Sequence, residues 1–241
     1  MTVSNYDQIA QWYDESILSS SLIHELLGPS LFDLLGNIEG QHICDLACGQ
    51  GIIARLLAAK GATVVGIDIS EKLLEIAQRH EDAGPPGITY LRDDAQTLHA
   101  VEDAAFDGVI CNMALMDIPD IASTFRTIWR VLRPNGWFIC VITHPCFQTP
   151  SSTWSTKEDG TVSREVQGYF AEGFWRSDNP NGVRGLVGAY HRMLSTYLNT
   201  LTESGLILER VLEPQATGPI ATSRRWYEEV PAVLLVRCRK G

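Results

Sequence analysis

The 241 residues are 45% apolar and 20% charged, which excludes a disordered chain and is long enough to bury one large core. Nineteen basic against 29 acidic side chains give a formal charge of −10, a balance that disfavours a phosphate-tracking nucleic-acid binder. No run reaches the roughly 20 apolar residues of a membrane span, and the six cysteines are scattered, so a reduced, cytoplasmic protein away from membranes is expected.

The polar, acidic start MTVSNYDQIAQWYDE is unlike a secretory signal. It predicts a helix over residues 4–16 with Ile9, Trp12 and Tyr13 on one side. His42 to Ala47 reads as a strand and Ile52 to Lys60 as a helix ended by Gly61. Thr63 to Ile67 is a second strand. Ser70 is placed to cap a helix running to about His80, with Leu73, Leu74 and Ala77 inward. After a Gly-Pro-Pro-Gly turn at 84–87, short strands follow at Ile88 to Leu91 and Phe106 to Cys111. Ile118 to Leu132 has helical spacing up to the breaker Arg133-Pro134-Asn135-Gly136. Trp137 to Thr143 is near-continuously apolar, as a strand buried on both faces should be. This alternation implies βαβ units, a parallel sheet and right-handed crossovers.

Residues 147–189 break the rhythm. They are rich in Ser, Thr, Gly and aromatics, and are expected to fold over the sheet's ligand edge as an insertion. Its aromatics could line an acceptor pocket or form a small core of their own. Tyr190 to Ser204 is expected to return to helix, ended by Gly205. Leu206 to Leu212 and Ala232 to Arg239 are expected to pair antiparallel at one edge.

Gly49-Gln50-Gly51-Ile52-Ile53-Ala54 fits G-x-G-x-x-G/A between a strand and a helix, and Asp68 ends the next strand where a ribose-binding acid belongs. That pattern alone suits an NAD(P)-dependent oxidoreductase. Asp45 shifts the balance. A carboxylate facing the helix N-terminus would repel a pyrophosphate, but would attract a ligand carrying an ammonium and a sulfonium, such as S-adenosylmethionine. Alternatively Asp45 only braces the turn. Asp94 and Ala95 follow the third strand, Asn112 and Met113 the fourth, so candidate groups recur at four successive strand ends.

On DLACGQG, VVGIDIS, RDDAQTL, FDGVICNMALMDIPD and LRPNGWFICVI, the chain resembles the class I S-adenosylmethionine-dependent methyltransferases of the small-molecule, type 11/25-like kind over about residues 1–143. The resemblance implies an α/β, Rossmann-like doubly wound sheet of seven mostly parallel strands with an antiparallel last strand. It implies cofactor roles for Asp45, Gly49, Gly51, Asp68, Asp94 and Asn112, with Ala47, Cys48, Ile69, Ala95 and Met113 lining the same site. In similar enzymes the Tyr-Asp pair of the first helix lies near the methionine end, which makes Tyr13 a lid candidate. A single domain follows: residues 1–38 as helical lid, 39–146 and 190–241 as core, 147–189 as substrate cap.

His42, Cys44 and Cys48 match no structural zinc spacing, so no metal is expected. His144, ending the fifth strand before Pro145, and His191, opening the helix after the insertion, are catalytic candidates, because an imidazole can take the proton of an attacking hydroxyl or amine. Either could instead cap a turn. Glu213-Pro214 could also face the acceptor. The sulfonium is already an activated leaving group, so alignment alone can supply much of the rate. The expected reaction is in-line methyl transfer to a hydroxyl or amine of a small organic acceptor, releasing S-adenosylhomocysteine. A non-catalytic nucleotide-binding relative is the other alternative to the oxidoreductase. Asn112-Met113-Ala114-Leu115 lacks the Asn/Asp-Pro-Pro-aromatic run of nucleic-acid amino-methylating enzymes, and a monomer or homodimer is expected.

Overall fold

Short β-branched runs and amphipathic stretches alternate along the chain, and the computed structural model turns them into one layered sheet with helices on both faces. It describes residues 5–18, 26–81, 87–223 and 225–241. Ser4, residues 19–25 of the expected lid, most of the Gly-Pro-Pro-Gly turn and Arg224 lie outside the described residues.

In chain order, a 3-10 turn (Asn5–Gln8) and α1 (Ala10–Leu18) precede α2 (Gly28–Leu35), β1 (His42–Leu46), α3 (Ile52–Ala59) and β2 (Thr63–Asp68). Then come α4 (Glu71–Glu81), β3 (Ile88–Arg92), β4 (Phe106–Asn112), α5 (Ile121–Val131) and β5 (Leu132–Thr143). The segment expected as a cap follows as β6 (Thr153–Thr156), β7 (Val162–Glu165), β8 (Gly173–Trp175), α6 (Val183–Leu186) and β9 (Ala189–His191). The chain closes with α7 (Leu194–Glu203), β10 (Leu206–Leu212), α8 (Gly218–Ser223), α9 (Trp226–Glu229) and β11 (Val233–Lys240).

The main sheet runs β10-β11-β5-β4-β1-β2-β3. β1 pairs in parallel with both β2 and β4, so strand order reverses there and a crevice opens at their carboxyl ends. β11 is antiparallel to β5 on one side and β10 on the other. Alternation splits the core in two. Phe138, Cys140 and Ile142 of β5 pack towards α5 and α7, while Trp137, Ile139 and Val141 pack towards α2 and α3.

Three expectations shift. α5 starts at Ile121 rather than Ile118, because the Asp120 carboxylate caps it, accepting from the Ser123 N–H at 2.9 Å. It ends at Val131, since Arg133 precedes Pro134 and is pushed to extended backbone. Tyr190 and His191 are not helical: β9 pairs antiparallel with β8, and α7 begins only at Leu194. The exposed N–H groups at that helix start are met by the cap, Met193 N–H donating to Glu172 Oε1 at 2.7 Å and Leu194 N–H to the Tyr169 hydroxyl at 3.0 Å. Residues 147–189 are thus ordered as a β6–β7 hairpin and a β8–β9 ribbon.

Candidate functional site

The crevice is built by the turn after β1. Ala47, Gly49 and Gly51 all have positive φ (56°, 55° and 78°). The Cys48 N–H donates to the Ile67 carbonyl at 3.0 Å, which holds the turn against β2. Facing it at the end of β4, Met113 also has φ 56°. Two non-glycine residues in the left-handed region therefore flank the point where strand order reverses, a kind of backbone strain that clusters at ligand sites.

Gly49 lines the crevice; Gly51 does not. A Cβ on Gly51 would fall 2.4 Å from the Tyr90 hydroxyl oxygen, at a backbone angle that favours glycine anyway. Expected at the cofactor site, Gly51 lies off the walls of both pockets and shapes the turn from behind.

The carboxylates at the strand ends differ in their partners. Asp68 Oδ2 accepts from the Gly49 N–H and Oδ1 from the Ser70 N–H, both at 2.8 Å. Asp68, rather than Asp45, is therefore the brace of the glycine turn. Asp94 Oδ1 accepts from the Gln96 N–H at 2.9 Å and from the Gln96 side-chain amide at 3.0 Å. Asp45 is 1% exposed and accepts from the Ala54 N–H, but its Oδ2 has no hydrogen-bond partner. Burial pushes the Asp45 carboxyl up to about 8 and the Asp68 carboxyl up to about 6.

The crevice holds two connected pockets. One, of about 280 Å³, is lined by Ala47, Gly49, Asp68, Ile69, Asp94, Ala95, Asn112, Met113 and Tyr13. The other, of about 250 Å³, adds Asp45, Cys48 and Gln50, and shares Tyr13, Ala47, Gly49, Asn112 and Met113 with the first. Apart from Gly51, every residue expected at the cofactor site lines one or both. The Cys48 thiol is pushed well above its ordinary range by burial, so it is an inert wall here.

The N-terminal segment closes the crevice by a device the sequence displayed only as an echo, Tyr6-Asp7 and Tyr13-Asp14. The tyrosine rings meet edge-on at 5.2 Å and line both pockets. The aspartates clamp the segment to the two ends of α4. Asp7 accepts from the Ser70 hydroxyl at 2.6 Å and the Lys72 N–H at 3.2 Å, and Asp14 pairs with His80 at 3.0 Å. Trp12, expected on the packed side with Tyr13, is exposed; Ala10 packs inward instead. Sequence reading also passed over Asp117, although it stands within the quoted MALMDIPD. Burial raises its carboxyl, and Tyr6 and the Arg184 guanidinium both hydrogen-bond to it at the crevice wall.

The two candidate histidines lie elsewhere. Neither lines the two pockets. His144 is buried, with Nδ1 accepting from the Cys146 N–H at 3.2 Å and Nε2 2.6 Å from Glu213 Oε1. Acceptance at Nδ1 puts the proton on Nε2, facing Glu213. His191, on β9 rather than at a helix start, donates from Nε2 to the Tyr169 carbonyl at 2.8 Å. Both nitrogens of His144 and the Nε2 of His191 are held by hydrogen bonds, and His191 lines a separate cavity with Arg164, Arg184 and Arg192. Glu213 is taken up by His144 rather than by the acceptor side.

Among the described residues no group of three or more His, Cys, Asp and Glu side chains is arranged to hold a metal ion. No described helix is long and apolar enough to cross a membrane. Residues 44–140 match the family model described as a methyltransferase domain. Two curated relatives are the ubiquinone biosynthesis O-methyltransferases of Paracidovorax citrulli and Chromobacterium violaceum. The first is 36% identical over 56% of this chain and 58% of its own length, the second 34% over 57% and 60%. The chain thus spans about three fifths of these relatives. Among solved structures, the S-adenosylmethionine-dependent methyltransferase from Mesorhizobium loti is 34% identical, covering 88% of this chain and 96% of its own, with a TM-score of 0.75.

Proposed function

The chain belongs to the class I S-adenosylmethionine-dependent methyltransferases, and on that premise we propose that it methylates a hydroxyl or amine of a small organic acceptor in the crevice at the ends of β1 and β4. When bound, S-adenosylmethionine supplies a sulfonium methyl already activated for transfer. The protein's task is then to hold, orient and exclude water.

One observation carries the reading. Three polar atoms buried at one pocket have no partner among the described residues: Asp45 Oδ2, Asn112 Oδ1 and Gln50 Nε2. The first two accept and the third donates. An amino-acid headgroup is their complement, its ammonium donating to Asp45 and Asn112 and its carboxylate accepting from Gln50. Buried orphans of this kind cost about 1–3 kcal/mol each, so their concentration in one pocket argues for a ligand. Asp68 accepts from the Gly49, Ser70 and Ile69 N–H groups and, with about four acceptor sites, can still receive a ribose hydroxyl. Ile69, Asp94 and Ala95 would flank the adenine. A pyrophosphate does not fit, because it brings no donor for Asn112 Oδ1 and would oppose ionisation of Asp45.

The O-methyltransferase activity of the relatives favours an oxygen nucleophile. With His144 and His191 held outside the crevice, the proposed chemistry rests on alignment. Tyr6 and Tyr13 of the lid and Tyr190 of the cap would screen the reacting atoms from water. The chain acts as one domain in this reading, with residues 1–38 as lid and 147–189 as cap.

Calorimetry tests it directly. S-adenosylhomocysteine should bind, while 5′-methylthioadenosine, which lacks the ammonium and carboxylate, should bind at least ~10-fold more weakly. Equal affinity for the two, or binding of NADH in place of S-adenosylhomocysteine, would sink the proposal.

A further inference from the structure

A third cavity, of about 230 Å³, lies between the cap, the end of β5 and the start of α7. Three guanidinium groups line it, Arg164, Arg184 and Arg192, although the whole chain carries a formal charge of −10. Among the described residues no Asp or Glu side chain lines it, and only Asp117 pairs with any of the three, by its bond to Arg184.

The donors that remain are specific. Arg192 is a strut: it donates to the carbonyls of Leu115, Ile118 and Pro119. Arg164 donates from Nε to the Phe147 carbonyl at 2.8 Å and from Nη2 to Gln148 Oε1 and the Ser152 hydroxyl, leaving Nη1 without a partner among the described residues. Burial pulls the Arg164 guanidinium below its usual range, as expected where no carboxylate compensates. Arg184 spends Nη1 on Asp117 and the Gly188 carbonyl, leaving Nε and Nη2. The buried Gln148 Nε2 also has no partner, and Gln148 lines the same cavity.

Unused donors and uncompensated positive charge specify an oxyanion. A guanidinium fork matches the planar geometry of a carboxylate or phosphate. The cavity also meets the crevice. Arg184 lines both it and the pocket of Asp45, Asn112 and Gln50, while Ala189 and Tyr190 line both it and the larger pocket.

We propose that this cavity receives an oxyanion of the methyl acceptor, so that the substrate is a small acid carrying a carboxylate or phosphate beside its nucleophilic hydroxyl or amine. The proposal rests on the methyltransferase reading above. It sets the acceptor apart from a purely apolar one, which would leave Arg164 Nη1 and Gln148 Nε2 without a partner among the described residues.

The test titrates the full chain, saturated with S-adenosylhomocysteine, with benzoate, phenyl phosphate and benzamide, by calorimetry and thermal shift. The anions are expected to bind and raise Tm while benzamide does not, and the tighter of the two identifies the oxyanion. Arg164→Gln should weaken anion binding by ~10-fold or more with S-adenosylhomocysteine affinity unchanged. Gln148→Glu, which keeps the acceptor for Arg164 Nη2 but replaces the unpartnered donor with a negative charge, should weaken it too and serves if Arg164→Gln does not fold. Anions binding no better than benzamide, or binding that survives both substitutions, overturns the proposal. Failure of S-adenosylhomocysteine itself to bind would fall on the methyltransferase reading instead, so the two failures are distinguishable.

Discussion

The crevice at the strand ends and the cavity under the cap carry opposite charge and were assembled in opposite ways. The crevice presents carboxylates, Asp45, Asp68 and Asp94, one from each of three successive parallel strands. The cavity presents Arg164, Arg184 and Gln148 from one continuous segment of hairpin, turn and short helix. A sheet places its strand ends by register, so a polar residue there faces a ligand almost by construction. A cap places its side chains by pairings that no repeat enforces. The chain thus confines a cation-attracting surface to its regular half and an anion-attracting one to its irregular half, and the two meet at Arg184 and Tyr190. One substrate would bridge them.

The most severe way to break the crevice while sparing the cavity is Asp68→Ala. It strips the Gly49 and Ser70 N–H groups of their acceptor and removes the ribose contact. S-adenosylhomocysteine affinity should fall by ~100-fold or more, each lost buried partner costing about 1–3 kcal/mol. Calorimetry measures it, and near-normal affinity would deny Asp68 its role. Arg164→Gln, in the other region, should leave that affinity alone.

Asp45→Asn is next, with an expected loss of ~10-fold or more, since the amide keeps the volume but cannot offer a charge to an ammonium. A pH signature accompanies it. In the unliganded protein the Asp45 carboxyl titrates at about 8 and Asp68 at about 6, both above the unfolded value near ~4. Between pH ~4 and ~8 the folded state therefore holds protons the unfolded chain has released. Stability of the unliganded protein should fall as pH rises through that window, and Asp45→Asn should flatten the upper half. A cationic ligand favours the ionised carboxylate, so binding at pH 7 should release protons and tighten towards pH 9. Titration in buffers of different ionisation enthalpy detects the release; none in wild type would contradict the assignment.

The crevice was legible in sequence because three constraints coincide there. Strand period, glycine spacing and acid placement each read along the chain, and together they located eleven of the twelve expected cofactor residues on the pocket walls. Gly51 escaped because its constraint is tertiary: Tyr90, 39 positions on, fills the space a Cβ would need. The roles of Asp68 as brace and Asp45 as orphan could not be separated, since both end a strand beside the same turn. The cap was legible as an interruption but not as a structure. Tyr190 and His191 read as the start of a helix until β8 pairs with them. Arg164 and Arg184 carry no spacing that marks them as partners of one cavity. His144 carries a related ambiguity, since an end-of-strand position predicts where a backbone ends and not which way an imidazole turns.

Gly51→Ala sharpens the division between shaping the crevice and touching the ligand. The added methyl would meet the Tyr90 hydroxyl at 2.4 Å with φ at 78°. Melting should show a loss of about 1–3 kcal/mol from overpacking and backbone strain. Ligand affinity, measured below the melting range, should fall less than for Asp45→Asn. A larger affinity loss with unchanged stability would put Gly51 back at the ligand.

The smallest effect on turnover is expected at His144, and it decides whether the end of β5 belongs to the chemistry or to the scaffold. To act as a base, the imidazole would have to give up the Cys146 N–H at Nδ1 or rotate Nε2 away from Glu213. Glu213 is half exposed, so its carboxylate can turn to water when the ring is removed; the Cys146 N–H has less freedom. His144→Ala should therefore lower stability by about 1–3 kcal/mol, the usual cost of emptying a buried, hydrogen-bonded site. The kcat of the folded fraction should stay within ~3-fold of wild type, because no transition-state contact is lost. A fall of ~100-fold in kcat at unchanged KM and unchanged fold, the mark of a lost general base, would return His144 to the catalytic site.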